Sequence, residues 1–313
     1  MEINAAVVSS FDRPPRYQPF DLPAPAGDDQ ALVDVLAVGL HPRVRSAAAG
    51  RHYTSTGELP MIPGVDGVGR RADGRAVFFV ADDDLPGPMA TRTVIDTRRS
   101  IALPEAADPV RIAAAMNPAM SSWVALRRRV PLQPGQSVLV LGATGNAGRM
   151  AIQVARRLGA GRVVGAGRDS VRLAGAGADV TAPIEDLPAL AEAAAEVDIV
   201  LDYVWGRPAA DAMMALLRAR PDRSRELNWV QIGSMAGPTI ELPSVALRSA
   251  NLRLQGNGQG AVSTRAYLAE LPSLIDEISA GGLGVATRTV PLAEVESAWT
   301  APESPDVRTV LVP

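Results

Sequence analysis

One stretch of this chain limits its fold more than any other, because residues 137–168 show the pattern of a strand, a glycine-rich turn, a helix and a second strand. The first apolar run ends at Gly142, and Gly145 and Gly148 follow at three-residue spacing. An amphipathic helical pattern comes next and stops at Gly159. This order predicts a βαβ unit whose glycines let backbone N–H groups approach a pyrophosphate at a helix N-terminus. The predicted contacts of that turn are Gly142, Ala143, Thr144, Gly145, Asn146, Ala147 and Gly148.

The residue at the end of the second strand indicates which dinucleotide this turn would bind. That strand ends in Arg168, where NAD-binding folds place an acid and NADP-binding folds tend to place an arginine. A guanidinium pairs with a 2′-phosphate through two charge-assisted hydrogen bonds, so the sequence favours NADPH. Two alternatives stay open: Arg168 as a solvated partner of Asp169, and Arg172 as either a second phosphate ligand or a surface residue.

Other cofactor contacts are expected at the carboxyl ends of later strands, where ligands bind in sheets of this kind. Small or polar residues follow the apolar runs at 197–201, 228–232 and 252–255. Such residues are also ordinary turn formers. The contacts predicted there are Tyr203, Gly233, Ser234, Gly256 and Asn257.

The pattern of the chain changes twice along its length. Residues 1–115 are rich in strand-like stretches, whereas residues 116–255 alternate short apolar runs with alanine-rich helical patterns. The alternation predicts a doubly wound parallel sheet, so we expect an α/β protein with a dinucleotide-binding domain at 116–255. The β-rich domain at 1–115 is expected to be completed by 256–313, which holds one amphipathic helix at 264–280. The predicted strands are 3–8, 31–38, 76–80, 91–95, 137–141, 162–166, 197–201, 228–232, 252–255, 287–290 and 307–312.

Two missing residue types exclude several kinds of chemistry. The 313 residues include no cysteine, and all 31 basic residues are arginine. A thiolate nucleophile, a cysteine-rich zinc site, a Schiff base and a Walker-type phosphate loop are therefore excluded. Only His41 and His52 could supply imidazole, so we expect no metal site.

Charge and hydropathy limit the partners and the location. A formal net charge of -3 argues against a nucleic-acid partner. No apolar run approaches the roughly 18 to 20 residues of a membrane span, and the N-terminal residues lack a signal-peptide pattern. We expect a cytoplasmic protein without a membrane partner.

Four local motifs carry a resemblance to a known family. They are the turn 142–148, a Pro-Gly-x-Asp-x-x-Gly segment at 63–69, the segment 38–42 and the segment 117–123. Together they resemble the quinone oxidoreductase-like (zeta-crystallin-like) branch of the medium-chain dehydrogenase/reductase superfamily. The resemblance covers nearly the whole chain. It implies a Rossmann domain, a GroES-like β-barrel catalytic domain, an active site in the cleft between them, and a homodimer.

The chain departs from its superfamily at several positions. His41, Val65 and Asn117 occupy the positions of the catalytic zinc ligands in zinc-dependent alcohol dehydrogenases, and this set cannot hold zinc. His41 also replaces the usual asparagine of the quinone reductases, and Val44 stands where they have aspartate. These departures imply a zinc-independent enzyme and leave the substrate open.

The resulting hypothesis is hydride transfer to a quinone or an α,β-unsaturated carbonyl, with one hydrogen-bond donor stabilising the developing oxyanion. Candidate donors are Tyr53, His41 and His52, although a tyrosine in such a loop is often only packed. Asn117 and Ser121 are candidates for orienting the nicotinamide or the substrate, but Asn117 precedes a proline and also fits a turn or helix cap.

Two other functions remain open on the sequence alone. The first is a catalytically idle NADPH-binding sensor or structural protein, because no indispensable acid or base stands out. The second is a zinc-free, NADP-dependent alcohol dehydrogenase.

Several conspicuous residues have simpler structural interpretations. Asp66 is expected to accept backbone hydrogen bonds across a turn, and the arginines at 127–129 are expected to form a solvated helix end. The four tryptophans are expected to belong to the core rather than to a substrate platform, with Trp205 as the candidate exception because it follows a strand end near the proposed nicotinamide.

Overall fold

The structure is a computed structural model that describes residues 1–82, 84–302, 304 and 306–313. It divides into two compact units. The terminal unit consists of Met1–Asn117 and Leu271–Pro313, and the central unit consists of Pro118–Glu270. Among the described residues, no helix has the length and apolar character needed to cross a membrane.

Most of the elements in the first 124 residues are strands. Helix α1 follows β3 directly, and helix α2 contains Pro118 and crosses from one unit into the next. The elements are β1 (Glu2–Val7), β2 (Arg16–Asp21), β3 (Gln30–Leu40), α1 (Pro42–Ala48), β4 (Asp66–Arg71), β5 (Ala76–Val80), β6 (Arg92–Asp96), β7 (Ser100–Ala102) and α2 (Pro109–Val124).

The central unit is built on one parallel sheet. After a π-helical turn at Ala125–Arg129, strands and helices alternate. The elements are β8 (Ser137–Leu141), α3 (Asn146–Arg157), β9 (Arg162–Gly167), α4 (Ser170–Ala174), β10 (Val180–Pro183), α5 (Leu187–Ala194), β11 (Ile199–Asp202), α6 (Gly206–Ala219), β12 (Leu227–Gln231), α7 (Ser244–Arg248), β13 (Leu252–Gly256) and α8 (Thr264–Leu268).

The order of these strands explains where a ligand would bind. The sheet runs β10-β9-β8-β11-β12-β13 with every pairing parallel. Counted from β8, this is the order 3-2-1-4-5-6 of a Rossmann fold, in which the chain reverses direction across the sheet between its first and fourth strands. The predicted α/β fold class and its doubly wound parallel sheet are confirmed.

The last part of the chain adds strands to the sheet of the terminal unit. Its elements are α9 (Leu271–Ser279), β14 (Ala286–Pro291), α10 (Val295–Thr300) and β15 (Val307–Val312). In the described residues, this sheet runs β14-β15-β3-β4-β5-β7, with β6 also paired to β3 and with β1-β2 forming a separate pair. β15 pairs antiparallel with β3, so both ends of the chain contribute to one sheet.

Two predicted elements were wrong. The single helix at 264–280 is two helices, α8 and α9, because Pro272 cannot donate an N–H to the preceding turn and is tolerated only in the first turn of a new helix. The segment interpreted as a turn around Asp66 is strand β4, paired on both sides. Its glycines fit because a Cβ on Gly69 would lie 2.9 Å from a methyl of Val33.

The arginine run lies at a helix end, as predicted, and also forms specific ion pairs and hydrogen bonds there. Arg127 and Arg128 both pair with the carboxylate of Glu270, which is buried. Arg129 donates to the carbonyls of Gly256 (2.9 Å) and Ala261 (3.0 Å). A buried carboxylate needs charged partners, and Arg127 and Arg128 supply them although their side chains remain 42% and 44% exposed. The run is therefore both solvated and paired.

Two of the four tryptophans lie in the core, as predicted, and the other two are only partly buried. Trp229 and Trp123 are buried. Trp299 is only partly buried, and the guanidinium of Arg45 lies 5.3 Å from its ring centroid. This arrangement is a cation–π contact.

Candidate cofactor and active-site residues

The glycine turn after β8 is shaped by close backbone packing. Gly142 has a positive φ of 89°, and the N–H groups of Gly142 and Ala143 both donate to the carbonyl of Ala166 (2.9 Å). A Cβ on Gly148 would lie 2.8 Å from the Cα of Ala143. Only glycine fits there, because the start of α3 rests directly on the turn.

Helix α3 begins at this turn without a side-chain cap. Gly145 is its N-cap residue, and no side-chain cap hydrogen bond is formed there. The first N–H groups of a helix have no partner within the helix, so they offer donors and a positive dipole end to an anion. The helix ends at Arg157 with Leu158 as its C-cap residue, and Gly159 follows with a φ of 95°, which confirms the predicted stop.

Arg168 follows β9 beside the turn. The side chain of Arg168 is exposed and forms no hydrogen bond or ion pair with any residue described. Asp169 instead caps α4 by accepting from the N–H of Arg172 (3.0 Å) and pairs with the Arg172 guanidinium (3.4 Å). A Cβ on Gly167 would lie 3.0 Å from the Thr144 methyl group, so this strand end adjoins the turn. The alternative pairing of Arg168 with Asp169 is not formed.

Strand β11 ends in a buried carboxylate that sequence reasoning missed. Asp202 accepts from the backbone N–H groups of Val204 (2.8 Å) and Trp205 (2.9 Å) through Oδ1. Its Oδ2 accepts from the indole N–H of Trp229 (3.0 Å). Burial raises the pKa of Asp202 against the opposing effect of these hydrogen bonds. The signal that could have found it is an aspartate, Asp202, placed directly after an apolar run.

Three predicted residues of the central unit form one network. The hydroxyls of Tyr203 and Ser121 lie 3.0 Å apart, and Asn257 Nδ2 donates to the carbonyl of Ser121 (2.8 Å). The N–H of Asn257 donates to the Gln231 carbonyl (2.8 Å). Burial raises the pKa of Tyr203 to about 12, so the phenol stays protonated at neutral pH.

The remaining predicted contacts of this unit lie at the ends of β12 and β13. A Cβ on Gly233 would lie 2.8 Å from the carbonyl oxygen of Tyr203, so the segment that follows β12 touches the segment that follows β11. Gly256 ends β13, and its carbonyl accepts from Arg129. Ser234 follows Gly233 and is partly buried.

In the terminal unit, His41 is buried and has unused hydrogen-bonding capacity. It is 1% exposed, and neither ring nitrogen has a hydrogen-bond partner among the residues described. Burial, reinforced by the positive charges of Arg308 and Arg43, lowers the pKa of His41 well below its usual value. The imidazole is therefore neutral at pH 7. Nothing in the sequence signalled that Arg308, far along the chain, would lie near it.

Asp66 and Asn117 are a second buried pair in this unit. Asn117 Nδ2 donates to Asp66 Oδ2 (3.2 Å), while Asp66 Oδ1 has no hydrogen-bond partner in the described structure. The partner is thus a side chain, not the backbone N–H groups that were predicted. Burial raises the pKa of Asp66 to about 6, although Asn117, Arg43 and Arg308 oppose the shift.

Tyr53 and His52 lie in a different environment. Tyr53 is 71% exposed, and its ring centroid lies 4.4 Å from that of His52. His52 Nδ1 is 2.8 Å from the hydroxyl of Thr54. In the part of the chain that the structure describes, no three His, Asp or Glu side chains are grouped as metal ligands would be.

The comparisons agree with this architecture along the full chain. No family model matches the chain. A probable NADPH-dependent quinone reductase of Emericella nidulans is 32% identical over an alignment of 361 positions, which covers 99% of this chain and 100% of that protein. A trans-enoyl reductase of Aspergillus terreus is 28% identical over 153 residues, 42% of each protein.

A solved structure matches over the whole length as well. The quinone oxidoreductase of Thermus thermophilus, whose structure was also determined with NADPH, superposes with a TM-score of 0.82 at 26% identity and covers 100% of both chains. On this full-length likeness, the chain belongs to the quinone oxidoreductase family of the medium-chain dehydrogenase/reductase superfamily.

Proposed function

We propose that this protein is a zinc-independent reductase that binds NADPH and delivers hydride to a quinone. The observation that carries the cofactor choice is Arg168, which is exposed and unpaired among the described residues at the end of β9, beside the glycine turn. The full-length relative named as an NADPH-dependent quinone reductase supports the same cofactor and substrate class.

The residues present fit a dinucleotide phosphate. The crowding at Gly148 keeps the start of α3 against the turn, so the first N–H groups of the helix, rather than those of Gly142 and Ala143, are the donors offered to a phosphate. In this proposal the backbone from Gly142 to Gly148 holds the pyrophosphate, and Arg168 pairs with the 2′-phosphate. NADPH, when bound, supplies the hydride at C4 of its nicotinamide.

The network of Ser121, Tyr203 and Asn257 is proposed to orient the nicotinamide end. Its members already satisfy one another by hydrogen bonds of 2.8 to 3.0 Å, so their positions are fixed before any ligand binds. Groups fixed in advance lose little conformational freedom on binding. Gly233, Ser234 and Gly256 are proposed to complete the wall at neighbouring strand ends.

Among the three candidate donors, the geometry favours His41. A quinone oxygen gains negative charge as hydride arrives, and a buried neutral N–H stabilises such an oxyanion better than a solvated group does. Both ring nitrogens of His41 lack a partner among the described residues. Tyr53 is largely in solvent. We therefore assign His41 the hydrogen bond to the substrate oxygen, with Asn117 and Asp66 beside it as a polar pair.

A second candidate is reduction of an α,β-unsaturated carbonyl. The trans-enoyl reductase similarity covers 42% of this chain and favours this chemistry. Hydride addition to the β-carbon of an enone creates an enolate oxygen, which the same donor would stabilise.

Turnover tests the proposal directly. Purified protein is incubated with NADPH and a panel of quinones, enones and aldehydes, and loss of NADPH absorbance is followed. Quinones should be reduced with a preference for NADPH over NADH. Tight NADPH binding without oxidation by any member of the panel would support the idle binding protein instead.

A further inference from the structure

Trp205 has a backbone conformation that its residue type disfavours. It is the one non-glycine residue with a positive φ in the described chain, with φ 52° and ψ -160°. This region is occupied almost only by glycine, because a Cβ clashes with the neighbouring backbone there. Conformations of this kind persist only where the surrounding structure holds them, and they concentrate at functional sites.

The carboxylate of Asp202 is what holds this conformation. Its Oδ1 accepts from the N–H groups of both Val204 and Trp205, and its Oδ2 is fixed by the indole N–H of buried Trp229. All three hydrogen bonds are made to a carboxylate that is itself fully buried, so the turn cannot relax without breaking them.

The strained turn stands where the strand order reverses. β11 and β8 are neighbours, and they are the fourth and first strands of the Rossmann order. A Cβ on Gly142, in the glycine turn after β8, would lie 3.3 Å from Tyr203 Cβ and from a methyl of Val204. Trp205 therefore follows directly on residues that touch the proposed cofactor turn.

The indole of Trp205 lies outside the hydrophobic cluster of the central sheet. Val204 packs against the hydrophobic cluster formed by β8, β11, β12 and helix α6, but Trp205 is not a member of that cluster as described. Trp205 is only partly buried, and its indole N–H forms no hydrogen bond with the described residues. A glycine would satisfy the backbone here, so packing in that cluster does not explain a tryptophan.

We propose that Trp205 is a ligand-contacting residue whose indole stacks against a planar ring at the reactive end of the site. The ring is either the nicotinamide or the planar conjugated ring of a quinone, since both present a π face of similar size. This inference rests on the proposed function, because it requires NADPH and a quinone as ligands. Asp202 acts through Trp205 as a positioning residue.

Three substitutions separate the ring from the strain. Trp205→Gly removes the ring and relieves the strain, Trp205→Ala removes the ring and keeps the strain, and Trp205→Phe keeps an aromatic ring. The readouts are the melting temperature, the Kd for NADPH, the Kd for adenosine 2′,5′-bisphosphate, and KM and kcat for benzoquinone and phenanthrenequinone.

The proposal predicts opposite effects on stability and function. The glycine variant should melt no lower than the wild type, yet both it and the alanine variant should lose roughly 5- to 100-fold in ring-dependent binding, the range of one aromatic stacking contact. The phenylalanine variant should stay within about threefold of the wild type, given the modest difference between one aromatic ring and another. Adenosine 2′,5′-bisphosphate, which lacks the nicotinamide, should bind all four proteins equally.

The pattern of losses identifies the ring and can overturn the proposal. A weaker Kd for NADPH assigns the nicotinamide, and a raised KM for phenanthrenequinone at unchanged Kd for NADPH assigns the quinone. Wild-type binding and turnover in the glycine variant would overturn the stacking role. So would an equal loss of adenosine 2′,5′-bisphosphate affinity, which would show a collapsed turn. Failure of the wild type itself to bind NADPH would instead refute the proposed function, and this inference with it.

Discussion

Two groups of predicted residues, one in each unit, differ in how fully their hydrogen bonds are satisfied. Ser121, Tyr203 and Asn257 bond to one another or to backbone carbonyls at 2.8 to 3.0 Å. By contrast, His41 has two ring nitrogens without a hydrogen-bond partner, and Asp66 has one such oxygen, among the residues described. The proposed binding groups Ser121, Tyr203 and Asn257 are therefore fixed in advance, whereas His41 and Asp66 keep buried polar atoms without a partner among the described residues.

In the proposed function, the satisfied residues of the central unit bind the cofactor, and the unsatisfied His41 of the terminal unit contacts the substrate. A buried polar atom without a partner costs about 1 to 3 kcal/mol, so an unfilled cluster lowers the free energy of unfolding. A ligand that supplies the missing partner recovers that free energy on binding. The glycine turn instead depends on close backbone packing, so a side chain added at Gly148 would displace α3 and lower the free energy of unfolding.

The largest effect is expected at Gly148. Gly148→Ala places a methyl group 2.8 Å from the Cα of Ala143 and from the carbonyl carbon of Gly142, so α3 must move off the turn. We expect loss of measurable NADPH binding and a fall in the free energy of unfolding of roughly 3 kcal/mol or more, as for other overpacked sites. Denaturant unfolding and cofactor titration measure both.

Gly175→Ala is the matched control for this substitution. Its added Cβ would meet nothing closer than the Arg172 carbonyl at 3.8 Å, and Gly175 has a negative φ. It should leave NADPH affinity unchanged. Similar losses in both variants would show that Gly148 has no special role in the turn.

His41 is expected to show the next largest effect, on turnover rather than on binding. His41→Ala removes the proposed donor to the substrate oxygen and should lower kcat by roughly 100- to 1000-fold, as loss of an oxyanion donor does elsewhere. His41→Asn keeps an N–H donor and should retain most of the activity. Steady-state kinetics with NADPH and a quinone provide the test, and equal activity of all three proteins would remove His41 from the mechanism.

The burial of Asp66 should make the free energy of unfolding depend on pH. Its pKa is about 6 in the folded state and 3.8 in the reference state, so the folded protein holds a proton that the unfolded chain has released between these values. The stability from this group is present below about pH 4 and is lost as the pH rises through about 6. Asp66→Asn removes that loss. The free energy of unfolding of the variant, relative to that of the wild type, should therefore be about 2 to 3 kcal/mol higher at pH 7 than at pH 4.

Comparing the variant with the wild type isolates this effect. The pKa of His41 is lowered on folding, which makes stability rise with pH up to about 6.5, opposite in sign to Asp66. Both proteins carry His41, so its contribution cancels in the difference. A difference between them that does not change from pH 4 to pH 7 would show that Asp66 titrates normally.

The sequence was most informative where local pattern and tertiary contact agree. The strand at 137–141 was predicted with the bounds that the structure has, and the turn and α3 followed, because strand, glycine spacing and amphipathic helix all lie within 30 residues. The short strand β10 was missed, since its Val-Thr-Ala-Pro sequence has no apolar run and gains its structure from pairing with β9.

Long-range neighbours were beyond any local pattern. Arg308 lies near His41 because β15 pairs with β3, and Glu270 meets two arginines about 140 positions earlier in the chain. The positive φ of Trp205 was equally hidden, because tryptophan gives no signal of a glycine conformation. These features depend on which strands become neighbours, and spacing along the chain does not encode that.

We propose that the strand order places the 2′-phosphate of NADPH against Arg168, and binding of two cofactors tests this placement most directly. NADPH and NADH are titrated into the wild type and into Arg168→Ala. We expect the variant to lose roughly 5- to 100-fold in NADPH affinity, the value of a charged hydrogen bond, while NADH affinity stays the same. Equal losses for both cofactors, or none for either, would contradict it.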